Sequence, residues 1–264
     1  MIKILSSLVF LFAFAFASAS VQAEVRLIPF QASAENKTDI PTVFWPKPNS
    51  KAVLIFLPGG GGSFGMTKKP DPQPNWVLGD LYQSTSAAFD LVFMDSYFQL
   101  QTDFGSPYSR WAPRRDANHL KRIKSTVEYY RDLTGKPIFL LGHSNGTLSI
   151  AEFLNQSTEN QKLLGGFIFS GSRNETELKN KLVLPALVLH HKADPNRWTT
   201  PGDAEKLFSF VKQNNSAASE QKWVEGGKDV PQGDPTHSGR HMYHEAVSEA
   251  AGLVQAFIDR AVAK

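Results

Sequence analysis

The sequence predicts an α/β fold: a mostly parallel central sheet with helices on both faces. Three observations predict it. The runs "KAVLIFLP", "AAFDLVFMD", "KPIFLLGH", "LGGFIFSG" and "LPALVLHH" are continuously apolar rather than alternating, the pattern of strands buried on both faces. Segments of helical periodicity lie between them. No internal repeat, low-complexity tract or linker divides the chain, so one domain is expected over residues 24–264.

Taken in order, residues 1–23 stand apart from that domain. Lys3 precedes the apolar run "LVFLFAFAFA", and "SASVQA" ends in Val21-Gln22-Ala23. This is the pattern of a signal peptide cleaved after Ala23, so an exported, periplasmic or secreted protein beginning at Glu24 is expected. The apolar run is too short to span a bilayer, and no stable membrane anchor is expected after cleavage. Export permits disulfides, yet the chain has no cysteine, which excludes thiolate metal sites and cysteine nucleophiles. The formal charge of +3 is a small excess and does not imply a nucleic-acid partner.

"EVRLIPF" and "IPTVFW" read as two short strands joined by a polar turn, ahead of the five apolar runs. Helical patterns follow in "NWVLGDLYQSTSAAF", "DANHLKRIKSTVEYYRDLTG", "GTLSIAEFLNQ", "PGDAEKLFSFVKQ" and "HEAVSEAAGLVQAFIDRAVAK". Asp116 and Gly135 mark the start and stop of the second of these helices. The basic cluster Arg110, Arg114, Arg115, Lys121, Arg122 and Lys124 reads as the solvated face of a helix.

In sheets of this class, ligands bind at the carboxyl ends of the strands. There "LLGHSNG" places Ser144 between Gly142 and Gly146, directly after an apolar strand and before a helix. Flanking glycines permit a bend that holds a serine hydroxyl exposed. A serine nucleophile needs a base, an acid that orients the base, and N–H donors for the developing oxyanion. Asp194, just past "LPALVLHH", is the candidate acid, with Asp95, Glu175 and Glu177 as rivals. His237, His241 and His244 crowd the segment before the last helix. His241 stands at the end of that loop and is the preferred base; His244 falls in the pattern of the terminal helix, and His237 stays open. A zinc site on the three histidines is disfavoured, because Pro235 and Gly239 break a helix there and no H-E-x-x-H occurs. His190 and His191 are expected to pack against the acid turn.

The segments "LIFLPGGGG", "LLGHSNG", "LVLHHKADP" and "RHMYHEAV" together resemble the α/β-hydrolase superfamily, in particular its dienelactone-hydrolase-like serine esterases. The resemblance implies Ser144 as nucleophile, His241 as general base and then acid, and Asp194 as the residue that orients the imidazole. It further implies an oxyanion hole made by the N–H of Asn145 and that of Gly60 or Gly61. The implied activity is hydrolysis of a carboxylic ester or related acyl bond, with no cofactor and no metal. A peptidase or amidase of the same fold, or a non-catalytic binding protein on the same scaffold, are the alternatives. Phe64, Trp76, Tyr97, Phe98, Tyr108, Trp111 and Trp198 are candidates to line an acyl pocket. Only twelve residues, Ser172 to Val183, separate "FIFSG" from "LPALVLHH", too few for a helical cap of any size.

Overall fold

A computed structural model describes residues 23–31, 39–60, 62, 89–95, 112–229 and 239–263. The expected leader, the helix pattern over residues 75–88, Gly61, Arg110, His237 and the aromatic candidates other than Trp198 lie outside the described residues.

Eight strands form one sheet: β1 (Glu24–Ile28), β2 (Ile40–Trp45), β3 (Ala52–Leu57), β4 (Phe89–Met94), β5 (Ile138–His143), β6 (Gly166–Ser170), β7 (Ala186–His191) and β8 (Ser219–Val224). Their spatial order is β1-β2-β4-β3-β5-β6-β7-β8. β2 runs against both neighbours, and all other pairings are parallel. Seven of these strands match the runs read from the sequence. The eighth, "SEQKWV", carries no such run; five of its six residues are half-buried, as on a sheet edge that has no continuous apolar signal.

Burial on both faces explains the continuous apolar runs. In β3, Val53, Ile55 and Leu57 belong to one core while Ala52, Leu54 and Phe56 belong to the other. Helices α1 (Ala117–Thr134), α2 (Asn145–Gln156) and α3 (Pro201–Asn214) cover the first core with Ile123, Val127, Phe153, Leu154, Leu207 and Val211. Helix α4 (Val247–Val262) covers the second with Val254, Phe257 and Ile258. Phe257 meets Phe139 of β5 edge-on, with centroids 6.1 Å apart. Burying a phenylalanine in this way contributes about 1.5–3 kcal/mol.

Caps fix the helix limits. Asp116 accepts hydrogen bonds from the N–H groups of Asn118 (2.8 Å) and His119 (3.1 Å). Gly135 ends α1 at φ 66°, its N–H donating to the Arg131 carbonyl, a left-handed position that suits glycine. Thr200 and Asp203 form a reciprocal capping box on α3. α4 starts at Val247, later than its sequence pattern, because Tyr243 and Glu245 adopt positive φ and the helix cannot pass through them.

Two expectations are corrected here. Arg114 and Arg122 are buried, whereas Arg115, Lys121 and Lys124 are exposed. Arg122 lies on the buried stripe of α1 with His119, Ile123 and Thr126, over the ring of Phe30 at 5.1 Å. His244 is exposed and precedes α4. The β6–β7 connection contains no helix, in keeping with its length. Among the described residues no helix is long and apolar enough to cross a membrane.

Candidate active site

Register brings the strand ends together. Leu57 pairs with Gly142, His143 with Ser170, and Ser170 with Leu189. The segments after β3, β5, β6 and β7 therefore open onto one place.

Ser144 links β5 to α2 at φ 53°, ψ −120°, a conformation that costs a non-glycine residue roughly 1–3 kcal/mol. Its N–H donates to the Ser170 carbonyl (2.9 Å), and its own carbonyl accepts from the Thr147 N–H (2.9 Å) and hydroxyl (2.6 Å). Its side chain makes no capping hydrogen bond to α2, so the serine is not there as a helix cap. The flanking glycines are required by contact. A Cβ on Gly142 would fall 2.3 Å from the Gly146 carbonyl oxygen, and one on Gly146 would fall 2.1 Å from that of Leu57. Gly59, from the β3 loop, approaches so closely that its own Cβ would sit 3.0 Å from that of Ser144.

Asp194 and His241 meet although 47 residues separate them in sequence. His241 Nδ1–H donates to Asp194 Oδ2 at 2.8 Å, and both side chains are buried. The same oxygen accepts from the Thr199 hydroxyl at 2.9 Å, and Oδ1 accepts from the Asn196 N–H at 2.9 Å. His190 Nε2 stands 3.5 Å from Oδ2 and 2.9 Å from the Thr199 carbonyl. Burial alone would raise the Asp194 pKa; hydrogen bonds from His190 and His241 and the charge on His241 outweigh it and hold the carboxyl well below the usual carboxylate range. His191 braces the other side of the turn, with Nε2 2.7 Å from the Gly226 carbonyl and Nδ1 accepting from the Ala193 N–H. The rival acids have other surroundings: Glu175 pairs with Arg173, Glu177 is exposed, and Asp95 directly follows β4 with its N–H bound to the Pro41 carbonyl.

His241 is set beside the serine elbow by its neighbours. Its ring lies 4.9 Å from that of His143, centroid to centroid, and a Cβ on Gly171 would touch both imidazoles. Tyr243 anchors the loop: its hydroxyl donates to the Leu189 carbonyl (3.2 Å) and meets Ser170 Oγ at 2.9 Å. Ser170 Oγ also lies 3.0 Å from His143 Nδ1, so this hydroxyl links the tyrosine to the imidazole. Burial first, then the nearby His241, pushes the His143 pKa well below its ordinary value, so this imidazole is neutral. Among the described residues no group of three His, Asp or Glu side chains is spaced to hold a metal ion.

The glycine loop after β3 turns with φ 53° at Gly60 and 83° at Gly62, closed by the Gly62 N–H on the Gly59 carbonyl at 2.9 Å. The Gly60 carbonyl accepts from Asn145 Nδ2 at 2.9 Å and from Arg114 at 3.0 Å. Asn145 opens α2, where the first backbone N–H groups have no partner within the helix. The sequence points to none of Thr199, Tyr243 and the Asn145 side chain, and to Arg114 only as part of a solvated basic face. Each acts through a partner tens of residues away, or through a backbone carbonyl, and neither leaves a local motif.

Solved structures similar to this one share its architecture at low identity. Dienelactone hydrolase from Anabaena variabilis matches 90% of this chain and 98% of its own, with 12% identity and a TM-score of 0.60. The chain has the α/β-hydrolase fold. An esterase from Pyrococcus furiosus (13% identity, 90% of this chain, 92% of that one, TM-score 0.58) and an α/β serine hydrolase without a lid from Xanthomonas campestris (12%, 90%, 94%, 0.56) share that fold. A family model described as lecithin:cholesterol acyltransferase matches residues 83–173. Phosphatidylcholine-sterol acyltransferase of Rattus norvegicus is 29% identical over 127 residues, 47% of this chain and 27% of that protein. The Homo sapiens counterpart is 27% identical over 139 residues, 52% of this chain and 30% of that protein. The chain thus spans less than a third of these relatives. Within the α/β-hydrolase fold, the family match covers Arg114 and the Ser144 elbow and stops short of Asp194 and His241.

Proposed function

We propose that the protein is an exported serine hydrolase that cleaves a carboxylic ester or related acyl bond through Ser144, His241 and Asp194. The observation that carries this reading is the buried Asp194–His241 pair, 2.8 Å apart, whose imidazole lies 4.9 Å from the ring of His143, the residue before a serine at φ 53° whose hydroxyl is not used as a helix cap. With Nδ1–H committed to Asp194, the Nε2 lone pair of His241 is the base. It takes the Ser144 proton as Oγ attacks the acyl carbon. The N–H groups of Asn145 and of Gly60 or Gly61 receive the oxyanion. Collapse expels the alcohol, protonated by His241, and leaves an acyl-serine. Water then adds to the acyl carbon, giving up a proton to His241, and the acid leaves as Ser144 recovers its proton. These steps need neither cofactor nor metal.

The match of residues 83–173 to an acyltransferase family favours a second reading, in which an alcohol intercepts the same acyl-serine. Product analysis separates the two: hydrolysis releases free acid whatever alcohol is added, whereas transfer yields a new ester. The test of the leading reading is turnover of acetyl, butyryl and palmitoyl esters of one alcohol by wild type and Ser144→Ala. With no helix between β6 and β7, acetyl or butyryl is expected to be preferred, with no rate jump at micelle formation and no turnover by Ser144→Ala. A palmitoyl preference appearing only with micelles contradicts the open site. The export reading rests on residues 1–23 and is tested by N-terminal sequencing of the protein outside the cytoplasm, which should begin at Glu24; an intact Met1 in a membrane fraction overturns it.

A further inference from the structure

We propose that Arg114 is a positioning residue for the oxyanion loop, gathering the loop's carbonyl oxygens to one side so that its N–H groups are presented to the reacting carbonyl. The proposal rests on the serine-hydrolase reading above.

Arg114 lies in a short 3-10 turn, Ala112–Arg115, just ahead of α1, and is 1% exposed. Its Nη2 donates to the carbonyls of Pro58 (3.0 Å), Gly59 (3.3 Å) and Gly60 (3.0 Å). Its Nη1 donates to Ser149 Oγ at 3.0 Å, and Ser149 meets His119 Nε2 at 2.9 Å. Ser149 belongs to α2, the helix that the Ser144 elbow begins, and Arg115 ties the same turn to Glu152 of α2 at 2.8 Å. One guanidinium therefore joins the nucleophile's helix to the glycine loop.

Glycines have the widest conformational choice of any residue, so a loop of four needs outside contacts to hold one shape. In a trans peptide, the carbonyl and the N–H that follows it point in opposite directions. Carbonyls of Pro58 and Gly59 turned toward Arg114 therefore turn the N–H groups of Gly59 and Gly60 away from it, and Gly59 is the residue that touches the Ser144 side. Each peptide carries a dipole, and the cation lies at the negative ends of three of them. All four acceptors of Arg114 are neutral, so among the described residues no carboxylate hydrogen-bonds to it. Burial pushes its pKa down to about 9, which still leaves it charged at neutral pH. A planar fork suits several carbonyls at once, and an ammonium does not.

The experiment compares wild type, Arg114→Lys, Arg114→Met and Ser149→Ala on a short-chain ester, with active sites counted by fluorophosphonate titration. Counting sites removes the effect of any misfolded fraction. Arg114→Met is expected to lose roughly 100-fold in kcat per titrated site, the scale of removing one oxyanion donor, with KM changed by less than about threefold. Arg114→Lys should fall between it and wild type. Ser149→Ala, which removes the Nη1 anchor together with the contact of the hydroxyl to His119, should lose a few-fold in kcat at unchanged KM and decides the matter if Arg114→Met does not fold. Unchanged kcat per site in the folded variants overturns the role of Arg114 while leaving the hydrolase reading intact. A wild type that turns over no ester overturns that reading and the proposal with it.

Discussion

Replacing His241 with alanine is expected to lower kcat by about 10⁴–10⁶-fold, the range set by removal of a general base that works as a unit with its nucleophile. The size follows from the geometry. His241 is the imidazole buried against Asp194 at 2.8 Å, and the next candidate, His244, is exposed and ahead of α4. His244→Ala should therefore stay within about threefold of wild type, as expected of a surface change, and His237→Ala should fold and retain most activity. An inactive His237→Ala beside an active, folded His241→Ala reverses the assignment. Asp194 does not confuse the acid limb of such a comparison. Its folded pKa lies below the ordinary value of 3.8, so its contribution to stability is complete above that value and is lost only as pH falls through the folded pKa. Activity lost between neutral pH and about pH 5 is then not a loss of this carboxylate.

Gly146→Ala is expected to destabilise the fold by at least about 3 kcal/mol, the upper range for forcing atoms into a packed site, and to abolish activity. The added Cβ would lie 2.1 Å from the Leu57 carbonyl oxygen. Leu57 is the last residue of β3, and it pairs with Gly142 of β5, so neither strand can retreat without disturbing the sheet. Gly252→Ala is the control. Gly252 lies inside α4 and its Cβ would meet nothing within 4 Å, so this change should stabilise by about 0.5–1 kcal/mol through the unfolded chain and helix propensity. Thermal unfolding of the two variants should move in opposite directions; a Gly146→Ala protein that melts like wild type contradicts the close approach of β3 to the elbow.

These two cases show what the sequence made legible. β3, β5, β6 and β7 are continuous apolar runs because each is buried on both faces, and Gly142 and Gly146 bracket Ser144 because backbone crowds both positions. Such features are local and leave a local trace. β8 leaves no such trace, because five of its six residues are only half-buried and Glu220 and Lys222 interrupt any apolar run. Arg114 looked like part of a wet basic face because its partners are backbone carbonyls at Pro58, Gly59 and Gly60, and a carbonyl has no residue type to read. Arg122 was legible in principle, since it falls on the same helical stripe as His119, Ile123 and Thr126. Thr199 and Tyr243 could not be read at all, because their hydroxyls matter only once β6, β7 and the loop before α4 meet.

The site of covalent modification by a fluorophosphonate, located by peptide mass mapping, tests the role of Ser144 most directly. One adduct is expected, on the peptide that carries Ser144, absent from Ser144→Ala and formed far more slowly in His241→Ala. A folded wild type that takes no label, or a label on Ser170 or Ser172 in place of Ser144, would contradict it.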